Sequence, residues 1–270
     1  MRKEKNSLVG GALRPNAGIA EEYSKPVVKA LERLNDELNR ELKKLYKANF
    51  SVAMDASIAS QARILLNKLL DKWQPIFNDI AKRATNRMID RTLKNSSITL
   101  QSSLKNALPD ISIDTSFSDE QLQEIIKAST QEASNLIKTI PYKFLNQVQG
   151  QVMRSITTGK GLADLVPYLT KFYKGNVRKA KLVALDQTRK AYQSINTSRL
   201  KTLGVKKFIW IHSGGGKEPR ELHIRMSGNE YSFDDPPFIG VMYGNDVHGL
   251  PGDLPNCRCI CKPVINFLED

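Results

Sequence analysis

The sequence predicts an α+β protein, with a mostly α-helical N-terminal region followed by a small β-containing C-terminal domain. Three observations predict this class. Apolar residues recur every three or four positions through the first three quarters of the chain, as on the buried face of amphipathic helices. Strand-like runs occur only after Gly204. Gly, Pro, Asn and Asp separate those runs, which is typical of short strands joined by turns.

Length and composition favour a folded protein with a polyanionic partner. With 270 residues, of which 40% are hydrophobic, the chain can bury a large core. No run of about 18 apolar residues indicates a membrane span, so a membrane partner is not expected. Basic residues outnumber acidic ones by 41 to 28, and residues 154–207 hold 13 basic residues against 2 acidic ones. This local excess favours a polyanion as partner.

The first eighteen residues have the composition of a flexible arm. Three glycines and one proline fall between Gly10 and Gly18, and no apolar period is visible there. Chain ends of this composition are commonly poorly ordered. The sequence therefore predicts a flexible arm over residues 1–18.

Residues 19–158 are predicted to form a helical domain. A stripe of leucines steps by three and four positions from Leu31 to Leu45, with charged residues in the gaps. A second stripe follows from Ile58 to Met88, with a break or kink expected at Pro75.

A polar connector is expected in the middle of this helical domain. The stretch Asn95–Ser116 is rich in Ser, Asn, Asp and Thr and contains Pro109, which is typical of a connector. Ser118 and the acidic residues after it mark the start of another helix, which continues to Pro141. A further helix is expected to end at Thr158, before Gly159.

Residues 159–270 are predicted to form the C-terminal domain. It begins with a short helix, Leu162–Tyr173, and a long basic helix, Asn176–Leu203. Gly204 is expected to end the long helix. Short strands are then predicted at Lys207–Ile211 and Tyr231–Phe233.

Basic residues on the long helix form a candidate DNA-binding ridge. Lys179, Lys190 and Lys201 recur every eleven residues, close to three helical turns, which places them along one line. Arg178 and Arg189 lie beside that line. Such a ridge neutralises phosphates without reading bases, so the expected partner is double-stranded DNA, bound nonspecifically. The alternative interpretation is the ordinary solvated face of a helix.

The three cysteines near the C-terminus indicate a possible structural zinc site. Thiolate and imidazole are the usual ligands of zinc, and the candidate ligands are His223, Cys257 and Cys259. The spacing lacks the second Cys-x-x-Cys pair of a zinc finger. Cys257 and Cys261 are expected to face together, with Cys259 opposite. A group of ordinary reduced cysteines is the alternative.

The sequence requires neither a nucleotide site nor a catalytic centre. Gly214–Lys217 is similar to a phosphate loop, but Glu and Pro follow where the Walker pattern needs Ser or Thr and a helix, so a flexible turn is predicted. His223 could act as a base with Glu221 or Cys257, yet nothing in the spacing requires such a pair. The chain is therefore expected not to be an enzyme and to have no small-molecule substrate.

Several blocks in the C-terminal half carry a resemblance to a known family. They are His212–His223, Met226–Gly228, Asp235–Pro237 and Gly249–Cys259, followed by Pro263 and Val264 and preceded by Ala184–Arg189, Asn196, Arg199, Leu200, Gly204 and Val205. In this order the blocks resemble the phage Mu F-like minor head morphogenesis family over residues 150–266. This chain departs from the family at Arg189, where a glutamate often follows the threonine.

The resemblance implies a minor head protein of a double-stranded DNA phage. Its partners would be the portal and other capsid or scaffold proteins, and it would assist head assembly and DNA packaging or delivery. It would lie in the interior of the virion capsid, after assembly in the host cytoplasm. The alternatives are a metal-dependent nuclease or toxin-type enzyme, and a nonspecific DNA-binding module.

Overall fold

The computed structural model describes residues 7–48, 55–158, 160–214 and 218–266. It confirms the predicted α+β class, with long helices in the N-terminal region and antiparallel strands after them. The helices are α1 (Ala17–Ala48), α2 (Asp55–Ala107), α3 (Glu120–Lys138), α4 (Ile140–Thr157), α5 (Leu162–Thr202) and α6 (Glu221–Arg225). The strands are β1 (Ser7–Val9), β2 (Lys207–Ile211), β3 (Glu230–Ser232), β4 (Phe238–Met242), β5 (Asn245–His248) and β6 (Ile260–Asn266).

The two longest N-terminal helices follow the predicted apolar stripes. In α1 the leucine stripe is fully buried from Leu31 to Leu42. The helix α2 continues through Pro75, so the chain does not break there. Trp73 and Phe77 on either side of the proline are buried, and this packing offsets the backbone hydrogen bond that proline removes. None of the described helices combines the length and the apolar character that a membrane span requires.

The predicted connector Asn95–Ser116 is wrong over its first half, because α2 extends to Ala107. Its last turns bury Leu100 and Leu104, and this apolar contact outweighs the polar composition of the segment. Ser96 is also buried, and its hydroxyl donates a hydrogen bond to Asn196 Oδ1 at 3.0 Å. A polar residue on a buried face is thus satisfied by a partner 100 residues away, which composition cannot reveal.

The later helices begin and end close to the predicted points. Asp119 Oδ1 accepts a hydrogen bond from the Leu122 N–H at 2.8 Å, so Asp119 rather than Ser118 caps the N-terminus of α3. Pro141 lies in the first turn of α4, where a missing N–H costs nothing. The two helices predicted on either side of Gly175 are one continuous helix, α5. Gly204 follows it with φ of +78°, as predicted for a helix end.

The strands form one four-stranded and one two-stranded antiparallel sheet. The order in the larger sheet is β1-β6-β2-β3, with Phe208 opposite Pro263 and Trp210 opposite Cys261. The smaller sheet pairs β4 with β5. The strand predicted at Lys207–Ile211 is confirmed, and the strand predicted at Tyr231–Phe233 is confirmed one residue earlier in the chain.

The N-terminal segment is part of the larger sheet, so the prediction of a flexible arm is wrong for residues 7–18. Ser7–Val9 forms the edge strand β1 beside β6. Gly10 N–H and Leu13 N–H then donate to the carbonyl oxygens of Pro263 and Cys261, each at 2.9 Å. Leu13 has no exposed surface. Backbone hydrogen bonds and the burial of Leu13 stabilise this segment against the sheet, although its glycines had suggested disorder.

Three sequence expectations fall wholly or partly on residues that the structure does not describe. Residues 1–6 of the predicted arm and Gly159 lie outside the described ranges. Of the predicted turn Gly214–Lys217, only Gly214 lies within them, with φ of +68°.

Tertiary contacts group the chain into two compact units, each built from separated segments. The sheet unit comprises residues 1–19, 88–130 and 185–270, and the helical unit comprises residues 20–87 and 131–184. The two contiguous domains expected at residues 19–158 and 159–270 stay predictions.

Each unit has its own core. In the helical unit, Tyr23 is buried and its hydroxyl pairs with Thr85 Oγ1 at 2.9 Å. Burial raises the pKa of Tyr23 to about 12. In the sheet unit, Phe208 stacks on Phe233 with ring centroids 4.7 Å apart, beside the fully buried Trp210. This second core positions the candidate site described next.

Candidate metal centre and basic helix surface

Three side chains from two elements of the sheet unit meet in a buried cluster. His223 comes from the short helix α6, and Cys257 and Cys259 come from the loop between β5 and β6. Two residues with positive φ shape this loop, Gly252 at +100° and Asn256 at +60°. The Asn256 N–H also donates to Asp186 Oδ1 of α5 at 2.6 Å, which fixes the loop just before Cys257.

The geometry of this His–Cys–Cys cluster is compact. Nδ1 of His223 lies 3.5 Å from Sγ of Cys257 and 3.5 Å from Sγ of Cys259. All three potential ligand atoms lie within 4.8 Å of one another. The residues are 2%, 4% and 6% exposed, respectively. Within the described residues, no other group of three or more His, Cys, Asp or Glu side chains has this spacing.

The expected placement of Cys259 opposite Cys257 is wrong. Cys257 and Cys259 face the same histidine, whereas Cys261 faces α5, where Gln193 Nε2 donates to its sulfur at 3.4 Å. Residues two apart in a strand share a face, so alternation gives no reason to separate Cys257 from Cys259. Cys261 differs because it lies within β6, which begins at Ile260, whereas the other two cysteines precede that strand.

The imidazole of His223 is held in a defined orientation. Its Nε2 lies 2.9 Å from the carbonyl oxygen of Ile239, which can only accept a hydrogen bond, so Nε2 carries a proton. The ring edge also packs against the buried indole of Trp210, with centroids 5.1 Å apart. Nδ1 is therefore the atom that faces the two sulfurs.

Electrostatics favour a thiolate in the cluster. A hydrogen bond from Cys259 is the main cause that lowers the pKa of Cys257, and the hydrogen bond between Cys257 and His223 also lowers it, against the effect of burial. The same contact with Cys257, together with burial, raises the pKa of Cys259, since two adjacent thiolates repel each other. Burial opposes the charged form of His223, but Cys257 and the Ile239 carbonyl outweigh it and raise the pKa of this histidine.

Cys257 and the third cysteine, Cys261, lie in different electrostatic surroundings. Arg189 lies close enough to Cys257 for the two charges to interact, and burial followed by the charge of Arg258 lowers the pKa of Arg189. Cys261 has no such neighbours, and complete burial raises its pKa to about 11. Cys261 is therefore a packing residue, whereas the sulfur of Cys257 is poised to carry negative charge.

This arrangement allows two kinds of chemistry. A thiolate beside an imidazolium is the pair that a cysteine nucleophile needs, but a nucleophile must also be reached by its substrate. The near-complete burial of all three residues leaves little surface for that contact. Two sulfurs and one imidazole nitrogen are also a ligand set for a borderline or soft metal ion.

The predicted DNA-binding residues occupy different environments on α5. Arg178 and Lys179 are exposed in the helical unit. In the sheet unit, Lys190 lies 3.5 Å from Asp186, Lys201 lies 2.9 Å from Asp234, and Arg189 is half-buried. The last three therefore have neighbouring charges or burial that weaken their availability to phosphate.

Sequence reasoning missed an exposed basic stripe in the first half of α5. Its members are spaced by three or four residues and therefore share one helix face; they are Lys171, Lys174, Arg178 and Lys181. The sequence holds no acidic residue between Leu165 and Leu185, which could have revealed this stripe. We call these four residues the α5 basic stripe.

Polar motif residues of the C-terminal half also have clear structural roles. Asn196 is fully buried on α5 and accepts from Ser96, while its own amide donates to the Tyr192 carbonyl at 2.8 Å. Arg199 donates to Ser96 Oγ at 2.9 Å and to the Leu93 carbonyl at 3.2 Å. These bonds join α5 to the last turns of α2 inside the sheet unit.

Fold and site together define an α+β protein with a small antiparallel sheet, against which the histidine of a buried His–Cys–Cys cluster packs through Trp210. Residues 146–262 match the family model for the Phage Mu protein F like protein, which confirms the resemblance seen in the sequence. Over this segment the chain is similar to a family of phage head morphogenesis proteins.

A curated relative shares part of the chain. It is a protein of Haemophilus influenzae (strain ATCC 51907 / DSM 11121 / KW20 / Rd), described as an uncharacterized protein, and is 28% identical over 148 residues. The aligned segment covers 55% of this chain and 31% of that protein, so the chain spans less than a third of its relative. No solved structure matches the chain.

Proposed function

We propose that this chain is a minor head protein that acts in prohead assembly and in DNA packaging or delivery, next to the portal and inside the capsid. The observation that carries the proposal is the match of residues 146–262 to the phage Mu F-like family, whose motif residues have buried, structural places here. The long helices of the helical unit supply surface for portal, capsid or scaffold proteins. The basic charge of α5 suits a position beside packaged DNA.

Incorporation into phage heads tests the assembly role. We expect the chain to co-purify with proheads from cells that produce the phage, and to be absent from proheads assembled without the portal protein. Quantitative mass spectrometry of gradient-purified particles measures both outcomes. A chain found only in the free protein fraction would contradict the proposal and favour a simple DNA-binding module.

DNA contact is assigned to the α5 basic stripe rather than to the residues spaced by eleven. Lys171, Lys174, Arg178 and Lys181 are exposed on one helix face. Lys190 and Lys201 each face a carboxylate within 3.5 Å, so releasing them for phosphate costs an existing ion pair. Binding through such a stripe depends on charge alone, and its affinity should fall steeply as salt concentration rises.

Charge reversal on the stripe gives a quantitative prediction. The triple change Lys174→Glu, Arg178→Glu and Lys181→Glu should weaken binding to a short duplex of any sequence and reduce the slope of log K against log salt by about 3, roughly one unit per lost phosphate contact. Fluorescence anisotropy at several salt concentrations measures this slope.

A matched control separates the stripe from total charge. Lys29→Glu, Arg33→Glu and Lys43→Glu change the same net charge at exposed positions of α1 in the same unit. These changes should leave most of the slope intact. Equal losses in both variants would mean that DNA responds to net charge and not to this surface.

A further inference from the structure

We propose that His223, Cys257 and Cys259 bind one Zn²⁺ ion through Nδ1 and the two Sγ atoms. The site would be structural, joining α6 to the loop before β6 inside the sheet unit. This inference goes beyond a role in head assembly, and it would hold whichever partner the protein contacts.

The distances suit a tetrahedral zinc site. With Zn–S bonds of about 2.3 Å and Zn–N bonds of about 2.0 Å, tetrahedral angles place a nitrogen and a sulfur ligand about 3.5 Å apart. The two measured Nδ1–Sγ distances are both 3.5 Å. The remaining pair of ligand atoms lies within 4.8 Å, so binding requires only a small approach of the two sulfurs. The ligand atoms are thus arranged around a common centre.

The histidine has the orientation that a zinc ligand needs. Zinc-bound imidazole almost always donates its other N–H to a carbonyl or carboxylate, which fixes the tautomer and raises the basicity of the ligating nitrogen. Here Nε2 donates to the Ile239 carbonyl at 2.9 Å, and Trp210 packs against the ring. The lone pair of Nδ1 then points toward the two sulfurs.

Charge and burial also favour a bound cation. Two thiolates and a divalent ion together have no net charge, whereas two buried thiolates without a cation repel each other. Sulfur and imidazole donors select zinc over calcium or magnesium, which prefer oxygen. The cluster thus offers the donor set, the enclosure and the charge that Zn²⁺ prefers.

The described residues supply three ligands, and a fourth tetrahedral position is left for water or for a group from another molecule. Three protein ligands from two elements are sufficient to cross-link α6 with the loop. Loss of the ion should therefore loosen the sheet unit more than the helical unit, since all three ligands belong to the sheet unit.

Metal analysis of the full chain is the first test. Protein produced with zinc in the medium should retain one zinc per chain after gel filtration, measured by plasma mass spectrometry. His223→Ala, Cys257→Ser and Cys259→Ser should each reduce retention at least tenfold. Cys261→Ser is the matched control, because its sulfur faces Gln193 and not His223, and it should retain the full equivalent.

X-ray absorption spectroscopy needs no variant, so its result does not depend on whether a variant folds. It should show two sulfur ligands and at least one nitrogen ligand around zinc, and a strong chelator should lower the unfolding midpoint of the sheet unit by several degrees. The proposal would be overturned by a chain that holds no zinc and takes none up on titration, by a shell without two sulfurs, or by equal zinc loss in Cys261→Ser.

Discussion

Phe208→Ala should lower the free energy of unfolding of the sheet unit by about 3–5 kcal/mol, as expected when a buried aromatic ring is removed from a packed core. Phe208 has no exposed surface. Its ring lies 4.7 Å from Phe233 and 6.0 Å from Tyr231, measured between centroids. On the neighbouring strand it pairs with Pro263. Alanine leaves a cavity in a close-packed core, so most of the lost contact should appear as lost stability.

The two tryptophans allow this change to be measured in one unit at a time. Trp210 belongs to the sheet unit and Trp73 to the helical unit, and the chain has no other tryptophan. In a Trp73→Phe background, urea unfolding followed by fluorescence reports only on the sheet unit. Ile98→Ala, at a residue 67% exposed in the same unit, is the control and should change stability by less than about 0.5 kcal/mol. Similar losses for Phe208 and Ile98 would show that the sheet core does not carry the stability assigned to it.

The parts of the fold that depend on local pattern could be predicted from the sequence. The leucine stripe of α1 and the β2 strand appear in the structure where their periods place them. These patterns work because a helix or strand buries one face, and the spacing of apolar residues records that face. The end of α2 was missed because Ser96 and Ser103 are polar residues on a buried face, each satisfied by a distant partner.

The candidate site was predictable in its chemistry but not in its geometry. Residue type alone pointed to His223, Cys257 and Cys259 as possible ligands. That both cysteines face one histidine depends on the loop that Gly252 and Asn256 shape with their positive φ values. Glycine tolerates this backbone region and asparagine visits it more often than most residues, so the turn has a reason but no unique sequence signal.

The availability of basic residues was harder still to predict. A period of eleven places Lys190 and Lys201 on one line. Each has a carboxylate partner, but the two partners lie at different sequence distances from their lysines. Asp186 is four residues from Lys190 and could have been recognised as a helical ion pair. Asp234 lies 33 residues beyond Lys201 and is brought close only by the fold. A spacing of eleven residues therefore does not show which basic residues are available to DNA, whereas the exposure of the four residues of the α5 basic stripe does.

The close approach of the N-terminal segment to the sheet was hidden by its glycines. A Cβ atom added at Gly10 would lie 2.8 Å from Pro263 Cγ and 2.8 Å from Ser103 Oγ, which is too close for a side chain. The Ser103 hydroxyl also donates to the Gly11 carbonyl at 2.6 Å. Glycine is therefore needed at Gly10 for contact, whereas the same residue type in a sequence suggests a flexible chain.

Leu13→Ala tests whether this segment stabilises the sheet unit. Leu13 is fully buried in the same core as Phe208 and Trp210, and its N–H is bonded to β6. The change should cost about 2–5 kcal/mol, as for other buried leucines, in the Trp73→Phe background with Trp210 as the reporter. Leu8→Ala is the control, because Leu8 lies on the edge strand β1 and is 40% exposed, and it should cost less than about 1 kcal/mol. A flexible arm would give no change for either variant, whereas a segment that completes the core gives a large loss for Leu13 alone. The ratio of the two effects therefore reports directly on whether residues 7–13 fold with the C-terminal strands.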